Sequence, residues 1–307
     1  MKKITVGVDV GGTNVKLGLV NRSGKIIARS RLVTKDFIQS KTKLTKALVA
    51  AIHDLVAANG FKKSEVTGVG IGLPGLINTE KGVVTVLPNI PGWRNVPLKK
   101  ILRSKLKLPV YIENDVNMIT LGEWKYGAGK GSKNMICMTL GTGVGSGLVL
   151  ENRLYRGEGF AAGELGHVPL NEKGPACNCG GIACFERYVG NKYLSQKASK
   201  LFKKKMQPHD VHFLAKSGNK KALKFWQDIG GRVGNGLVGV VNLLNPSLIV
   251  VGGGVSNNLV FMKKSIMDVI HQRAMPVQSK TVKIVRAKLA DDAGIIGAQV
   301  LVNEKRV

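Results

Sequence analysis

Short apolar runs separated by glycine-bearing turns open the chain. ITVGVDV predicts a strand over 4–10, GGTN a turn, VKLGLV a second strand, NRSG a turn and KIIARSRLV a third strand. KTKLTKALVAAIHDLVAANG then changes period. Its Leu44, Leu48, Ala51, Ile52 and Leu55 fall on one stripe, which predicts a helix ended by Gly60. TGVGIGLP predicts a strand, PLKKILRSKLK a helix and PVYIEND a strand. From residue 135 the opening order returns as MICMTL, GTGVGS, GLVLE and a turn at Asn152. Helical segments dominate from Cys184 to about Leu244, and SLIVVGGG and TVKIVRA predict two late strands. Two apolar strands joined by a Gly-Thr turn, once in each half, predict two α/β domains of similar plan facing each other across a cleft. The expected division is 1–117 plus 293–307 as a small domain and 118–292 as a large one.

Composition narrows the class. The 307 residues are 44% apolar, enough to bury a large core. No run of about 18 apolar residues is present to span a bilayer. The start, MKKITVGVDV, lacks the longer apolar stretch of a signal peptide because Asp9 interrupts it. The expected location is the cytoplasm, with no membrane partner, and structural disulfides are rare there. That demotes a disulfide reading of the four cysteines.

Charge adds a second feature. Lys and Arg number 47 against 19 Asp and Glu, a net charge of +28. The excess gathers at Lys41–Lys46, Lys99–Lys107, Lys200–Lys205 and Lys216–Lys224. Such a field attracts polyanions. The lysines are spread out and lack interleaved aromatics, so solvated helix faces are the plainer reading. Nucleic acid is disfavoured as a partner, and polyphosphate stays open.

Two glycine loops suggest what the fold binds. DVGGTN at 9–14 and GTGVGSG at 141–147 offer backbone N–H groups without Cβ obstruction, suited to phosphate oxygens. Neither fits a standard nucleotide fingerprint. Leu148 stands where a dinucleotide motif begun at Gly143 needs its last glycine, and a strand follows where a helix is required. GAGKGS fails as a P-loop, since Trp124 holds the first glycine position and Gly131 follows the lysine. Plain tight hairpins would account for either loop alone. The pair in register, with Asp9 ending the first strand, points to nucleotide phosphates with a metal ion.

Five blocks resemble the ROK family of sugar kinases and repressors, within the actin and hexokinase-like (ribonuclease H-like) ATPase fold. They are DVGGTNVK at 9–16, GLPGLIN through PNIPGW at 72–93, ENDVN at 113–117, LGTGVGSGL through GELGH at 140–167, and CNCGGIACFE at 177–186. Asn78 and Met118 depart from the commoner aspartate and alanine. The resemblance implies ATP-dependent phosphorylation of a hexose at its 6-hydroxyl, with glucose favoured and mannose, N-acetylglucosamine or N-acetylmannosamine as alternatives. It also admits a transcriptional repressor and a non-catalytic sugar sensor. A repressor of the family carries a helix-turn-helix before the kinase-like part, and a first strand at Ile4 leaves it no room. A homodimer or homotetramer is expected.

The same resemblance assigns residues. The last block is similar to the family's zinc motif, and His167, Cys177, Cys179 and Cys184 supply a closed Cys3His shell suited to structural Zn2+. Cys137, in an apolar strand, reads as a small buried hydrophobe. Asp115 is the expected catalytic base, its alternative being a helix N-cap. Gly75, Asn89, Asn114, Asp115, Glu164, His167 and Glu186 would meet the sugar. Asp9 would help hold Mg2+ through water, Gly11, Gly12, Thr13, Gly141, Thr142 and Gly143 would line the ATP phosphates, and Gly253 and Gly254 would pass the adenosine. Glu113 is expected to point away and be structural, and Lys16 either to contact a phosphate or to alternate out to solvent.

Overall fold

The computed structural model describes residues 3–34, 37, 40–87 and 92–305. The chain divides into two compact units, 1–131 with 154–162 and 289–307, and 132–153 with 163–288.

In the first unit, strands β1 (Ile4–Val10), β2 (Asn14–Asn21), β3 (Ile26–Val33), β4 (Val66–Leu73) and β8 (Val110–Asn114) form one sheet in the order β3-β2-β1-β4-β8. β1 runs antiparallel to β2 and parallel to β4. A small sheet of β5 (Leu76–Asn78), β6 (Val83–Val86) and β7 (Arg94–Val96) follows β4. Val6, Val8 and Val10 face the core that includes Leu44, Leu48, Ile52 and Leu55 of α1 (Lys41–Ala58), and Leu98, Leu102 and Leu106 of α2 (Leu98–Leu106). The helical stripe read from the sequence is the buried face of α1.

Several alternate positions on β1 and β4 are glycines, Gly7 and Gly70 among them, and they serve the other face. A Cβ on Gly7 would lie 2.4 Å from the Ile295 carbonyl oxygen, and one on Gly70 2.8 Å from that of Ala298. Only bare backbone lets α10 (Ala293–Glu304) lie this close. α3 (Asp115–Tyr126) crosses α10 equally closely, a Cβ on Gly122 meeting the Ala293 oxygen at 2.3 Å. The expected break after residue 117 is therefore displaced, because packing on α10 keeps α3 in the first unit.

The second unit repeats the plan. Its sheet, β9 (Met135–Leu140), β10 (Val144–Leu150), β12 (Leu248–Gly252) and β13 (Lys283–Arg286), with β11 (Arg153–Tyr155) at the point where the chain passes from one unit's segment to the other's, is ordered β11-β10-β9-β12-β13. β9 is antiparallel to β10 and parallel to β12. Third, second, first, fourth, fifth is the strand order in both units, so the echo in the sequence is a duplicated topology. Short helix α4 (Glu186–Val189) leads into α5 (Asn191–Phe202), α6 (Pro208–Lys216), α7 (Lys220–Leu244), α8 (Leu259–Arg273) and α9 (Pro276–Thr281). Gly230 and Gly234 let α7 approach the α8 backbone, with Cβ distances of 2.6 and 2.9 Å to the Met262 and Ile266 oxygens. Cys137 is fully buried in β9. Among the described residues, no helix is long and apolar enough to cross a membrane.

Candidate functional site

The β1–β2 turn places the first glycine loop. Thr34 fastens it from β3's end, donating Oγ1–H to the Gly11 carbonyl at 2.8 Å and its own N–H to the Thr13 carbonyl at 3.0 Å. A Cβ on Gly12 would meet nothing within 4 Å, and its φ is not in the left-handed region. Neither packing nor backbone geometry requires glycine there, so the space beside it suits an approaching ligand. Asp9 precedes the loop on the α10 face, where a Cβ on Gly294 would lie 3.1 Å from its Cγ. Burial raises the Asp9 carboxyl above the usual range, Lys16 opposes this, and Asp291 adds to it. Lys16 is the cross-strand partner of Asp9 and pairs with Asp291 at 3.5 Å. The sequence leaves Lys16 open between a phosphate contact and solvent. Its alternation was right, but the face it shares with Asp9 carries the carboxylates.

At the other end of the sheet, β8 runs into α3. Asn114 is the cap, its Oδ1 accepting from Val116 N–H at 2.9 Å and Asn117 N–H at 3.1 Å. Its Nδ2 donates to the Gly75 carbonyl at 3.1 Å, and Gly75 itself sits at φ 97, a conformation suited to glycine. Asp115 therefore opens the helix as its first residue, with Oδ1 2.9 Å from Val116 N, and the N-cap role belongs to its neighbour. Glu113 is buried behind them, with 1% of its surface exposed. Its Oε2 accepts from Arg156 Nε at 2.7 Å, and its Oε1 from Asn114 N–H and Asn117 Nδ2 at 3.0 and 3.1 Å. Glu113 is structural as expected, and it builds the site from behind. Asn89 lies outside the described residues.

The second glycine loop joins β9 to β10. Gly141, Thr142, Gly143, Glu186 and Gly253 help line a pocket of about 280 Å3. A Cβ on Gly141 or Gly254 would meet nothing within 4 Å. Gly143 and Gly253 are glycines for internal reasons. A Cβ would press on Glu186 Oε2 at 2.2 Å in one case, and on the Leu140 oxygen at 2.3 Å in the other, where φ is also 78. Glu186 Oε2 accepts from Val144 N–H at 2.9 Å, so this carboxylate braces the loop.

The cysteine block forms a compact knuckle. Cys177 N–H donates to the Gly181 carbonyl at 2.8 Å and Gly180 N–H to the Cys177 carbonyl at 3.0 Å. The turn brings single ligand atoms of His167, Cys177, Cys179 and Cys184 within 4.8 Å of one another. Cys179 and Cys184 sulfurs are 3.6 Å apart, and Cys177 Sγ is 3.7 Å from His167 Nδ1. A tetrahedral zinc with Zn–S bonds of about 2.3 Å separates its ligand atoms by about 3.6 to 3.8 Å, so the donor set and its spacing fit that ion. Without it the thiols diverge. The Gly181 N–H, then Cys184, lower the Cys179 thiol to about 7, whereas burial pushes Cys184 up to about 12. His167 divides its nitrogens, turning Nδ1 to the cysteines and Nε2 toward Glu164 Oε2, 3.9 Å away.

Comparison with known proteins gives the family and the fold. The ROK family pattern matches residues 5–305. A glucokinase of Thermotoga maritima is 34% identical, covering 98% of this chain and 97% of that protein. A xylose repressor of Caldicellulosiruptor bescii is 30% identical over 97% of this chain and 77% of its own length. The crystal structure of a ROK family glucokinase from Streptomyces griseus, in complex with glucose and AMPPNP, superposes with a TM-score of 0.78 at 29% identity, covering 98% of this chain and 99% of that one. The chain belongs to the ROK family, and its fold is the actin and hexokinase-like ATPase fold.

Proposed function

We propose that this ROK family protein is a sugar kinase that transfers the γ-phosphoryl group of ATP to the 6-hydroxyl of a hexose, with glucose preferred. The observation that carries the reading is the open space beside Gly12 and Gly141, in loops that occupy equivalent places in two duplicated units. The full-length similarity to a glucokinase supports it.

Asp115 acts as the base, accepting the proton of the sugar hydroxyl at its carboxylate as the phosphoryl group leaves ATP. Asn114 positions it by capping α3 and holding the Gly75 turn. Gly75, Asn89, Glu164 and His167 bind sugar hydroxyls, with Asn114 and Glu186 in support. Their amides and carboxylates discriminate hydroxyl patterns that an apolar pocket could not. Backbone N–H groups of Gly12, Thr13, Thr142 and Gly143 orient the phosphates, Gly11 and Gly141 line them while their own N–H groups close the two turns on the Asn14 and Gly143 carbonyls, and Gly253 and Gly254 leave room for the adenosine. Asp9 would hold Mg2+ through water, and a buried carboxylate held above its usual range fits a site that gains from a cation. Mg2+ supplies neutralisation of phosphate charge when bound. His167, Cys177, Cys179 and Cys184 would hold Zn2+ as a structural ion, with no ligand position left for water. A homodimer or homotetramer in the cytoplasm completes the reading.

Steady-state turnover with Mg-ATP over glucose, mannose, N-acetylglucosamine and N-acetylmannosamine tests it. Glucose should give the highest kcat/KM. Absence of phosphoryl transfer to all four sugars contradicts the kinase reading, and a higher value for an N-acetyl sugar contradicts the preference.

A further inference from the structure

α2 carries a basic face that the kinase reading leaves unused. Its buried side is Leu98, Leu102 and Leu106, so Lys99, Lys100, Arg103 and Lys107 emerge elsewhere. Together with Lys81, from the turn between β5 and β6, and with Ser104, Leu108 and Pro109, they line a pocket of about 700 Å3. No carboxylate is among its lining residues, and Glu80 beside Lys81 is not one of them. None of the ion pairs among the described residues involves these five cations.

Crowded like charges three and four positions apart disfavour a helix, and α2 contains no acidic residue to offset them. A helix C-terminus welcomes cations, which accounts for Arg103 and Lys107 but not for Lys81 on a separate element. The pocket is also shaped by particular contacts. Gly82, at φ 68, lets the Lys99 stem lie on the turn, since a Cβ there would fall 2.4 Å from Lys99 Cβ. The Lys99 ammonium then stands 5.7 Å from the centre of the Tyr111 ring. Lys107 closes α2 in the left-handed conformation, with its N–H on the Arg103 carbonyl, and turns the chain into Leu108 and Pro109.

We propose that this pocket is a binding site for inorganic polyphosphate, sharing no residue with the phosphate loops at 11–13 and 141–143. Five cations without carboxylate partners call for a ligand carrying several negative charges. Single-stranded nucleic acid would add base stacking on exposed rings, and the Tyr111 ring beside the pocket is already covered by Lys99. A ligand made of phosphate alone matches what the walls offer. The inference does not rest on the kinase reading.

Calorimetric titration with polyphosphate of uniform chain length, at several salt concentrations, tests it. The variant is Arg103→Glu with Lys107→Glu, and the control is Lys204→Glu with Lys205→Glu, which changes net charge equally on the other unit. Thermal unfolding midpoints verify that both are folded. The pocket variant should lose at least about tenfold in affinity and show a flatter salt dependence, whereas the control should stay within about twofold. Equal losses in both variants would assign binding to the general field of the protein and overturn the proposal. So would no detectable binding by the wild type at low salt. An oligonucleotide of equal phosphate count that binds more tightly, and loses affinity with the same pocket variant, would overturn the choice of ligand.

Discussion

Arg156 Nε lies 2.7 Å from Glu113 Oε2, and the other oxygen of that buried carboxylate holds Asn114 and Asn117 at the start of α3. The ion pair thus stands directly behind the residue that caps the helix and precedes the proposed base. Removing one partner of a buried pair strands the other charge and typically costs about 3 to 5 kcal/mol. Glu113→Gln should therefore lower the unfolding midpoint and also lower kcat, because Asn114 loses its support. Adding Arg156→Met should restore much of the stability without restoring kcat. Unfolding and turnover measured on both variants check this. Full recovery of turnover in the double variant would mean that the pair only stabilises the fold.

The thiols of the knuckle predict a tightly held metal. Protein purified without added metal should carry close to one zinc per chain by elemental analysis. Cys177→Ser should lose the metal, lower the unfolding midpoint and weaken sugar affinity together, since His167 faces both the cysteines and Glu164. Zinc-free protein with wild-type stability and activity would remove the ion from the account.

Asp9 gives a prediction with opposite signs for stability and function. Burial raises its carboxyl in the folded state. The folded protein then holds that proton more tightly than the unfolded chain, so this group's contribution is most favourable at low pH and is lost as pH rises through the folded value. Asp9→Asn removes that loss. At neutral pH and without nucleotide, its unfolding midpoint should equal or exceed that of the wild type, while Mg-ATP turnover falls. A variant less stable at neutral pH than at acidic pH, to the same degree as wild type, would show that another group sets the dependence.

Glycines should sort by what their missing Cβ would meet. Gly297→Ala would drive a methyl to 1.8 Å from the Met118 carbonyl oxygen where α3 crosses α10. It should unfold the first unit or cost several kcal/mol. Gly12→Ala meets open space, so its stability should stay within about 0.5 to 1 kcal/mol of wild type, with weaker ATP affinity. Unfolding and nucleotide titrations on the two variants separate the roles.

Much of this architecture was legible in local pattern. The paired strands and Gly-Thr turns of both units repeat within short windows, and His167, Cys177, Cys179 and Cys184 lie in one stretch that resembles the family's zinc motif, so their convergence is local. α10 was not legible, because Ala293 through Val302 are all buried and the helix has no polar face to set a period. α3 was hidden likewise, with Thr120 and Glu123 buried beside Leu121 and Trp124. The setting of Lys16 was not legible, because alternation tells which residues share a face but not what the opposite element carries. Arg156 pairs with Glu113 from 43 positions away, a contact that no local signal marks. The lysines of α2 were visible as a run, whereas their convergence with Lys81 belongs to tertiary structure alone.

Asp115→Asn addresses the central claim most directly. The amide keeps the size and most hydrogen bonding while removing the basic oxygen, and general-base catalysis is typically worth roughly 10²- to 10⁴-fold. Since Asn114 already caps α3, the fold and ATP affinity should be nearly unchanged, and glucose affinity should fall far less than turnover. The measurement is kcat with glucose and Mg-ATP, alongside glucose affinity by titration of the same variant. The account predicts a loss in kcat of at least about a hundredfold. Retention of more than about a tenth of wild-type turnover would contradict it and remove Asp115 from the role of base.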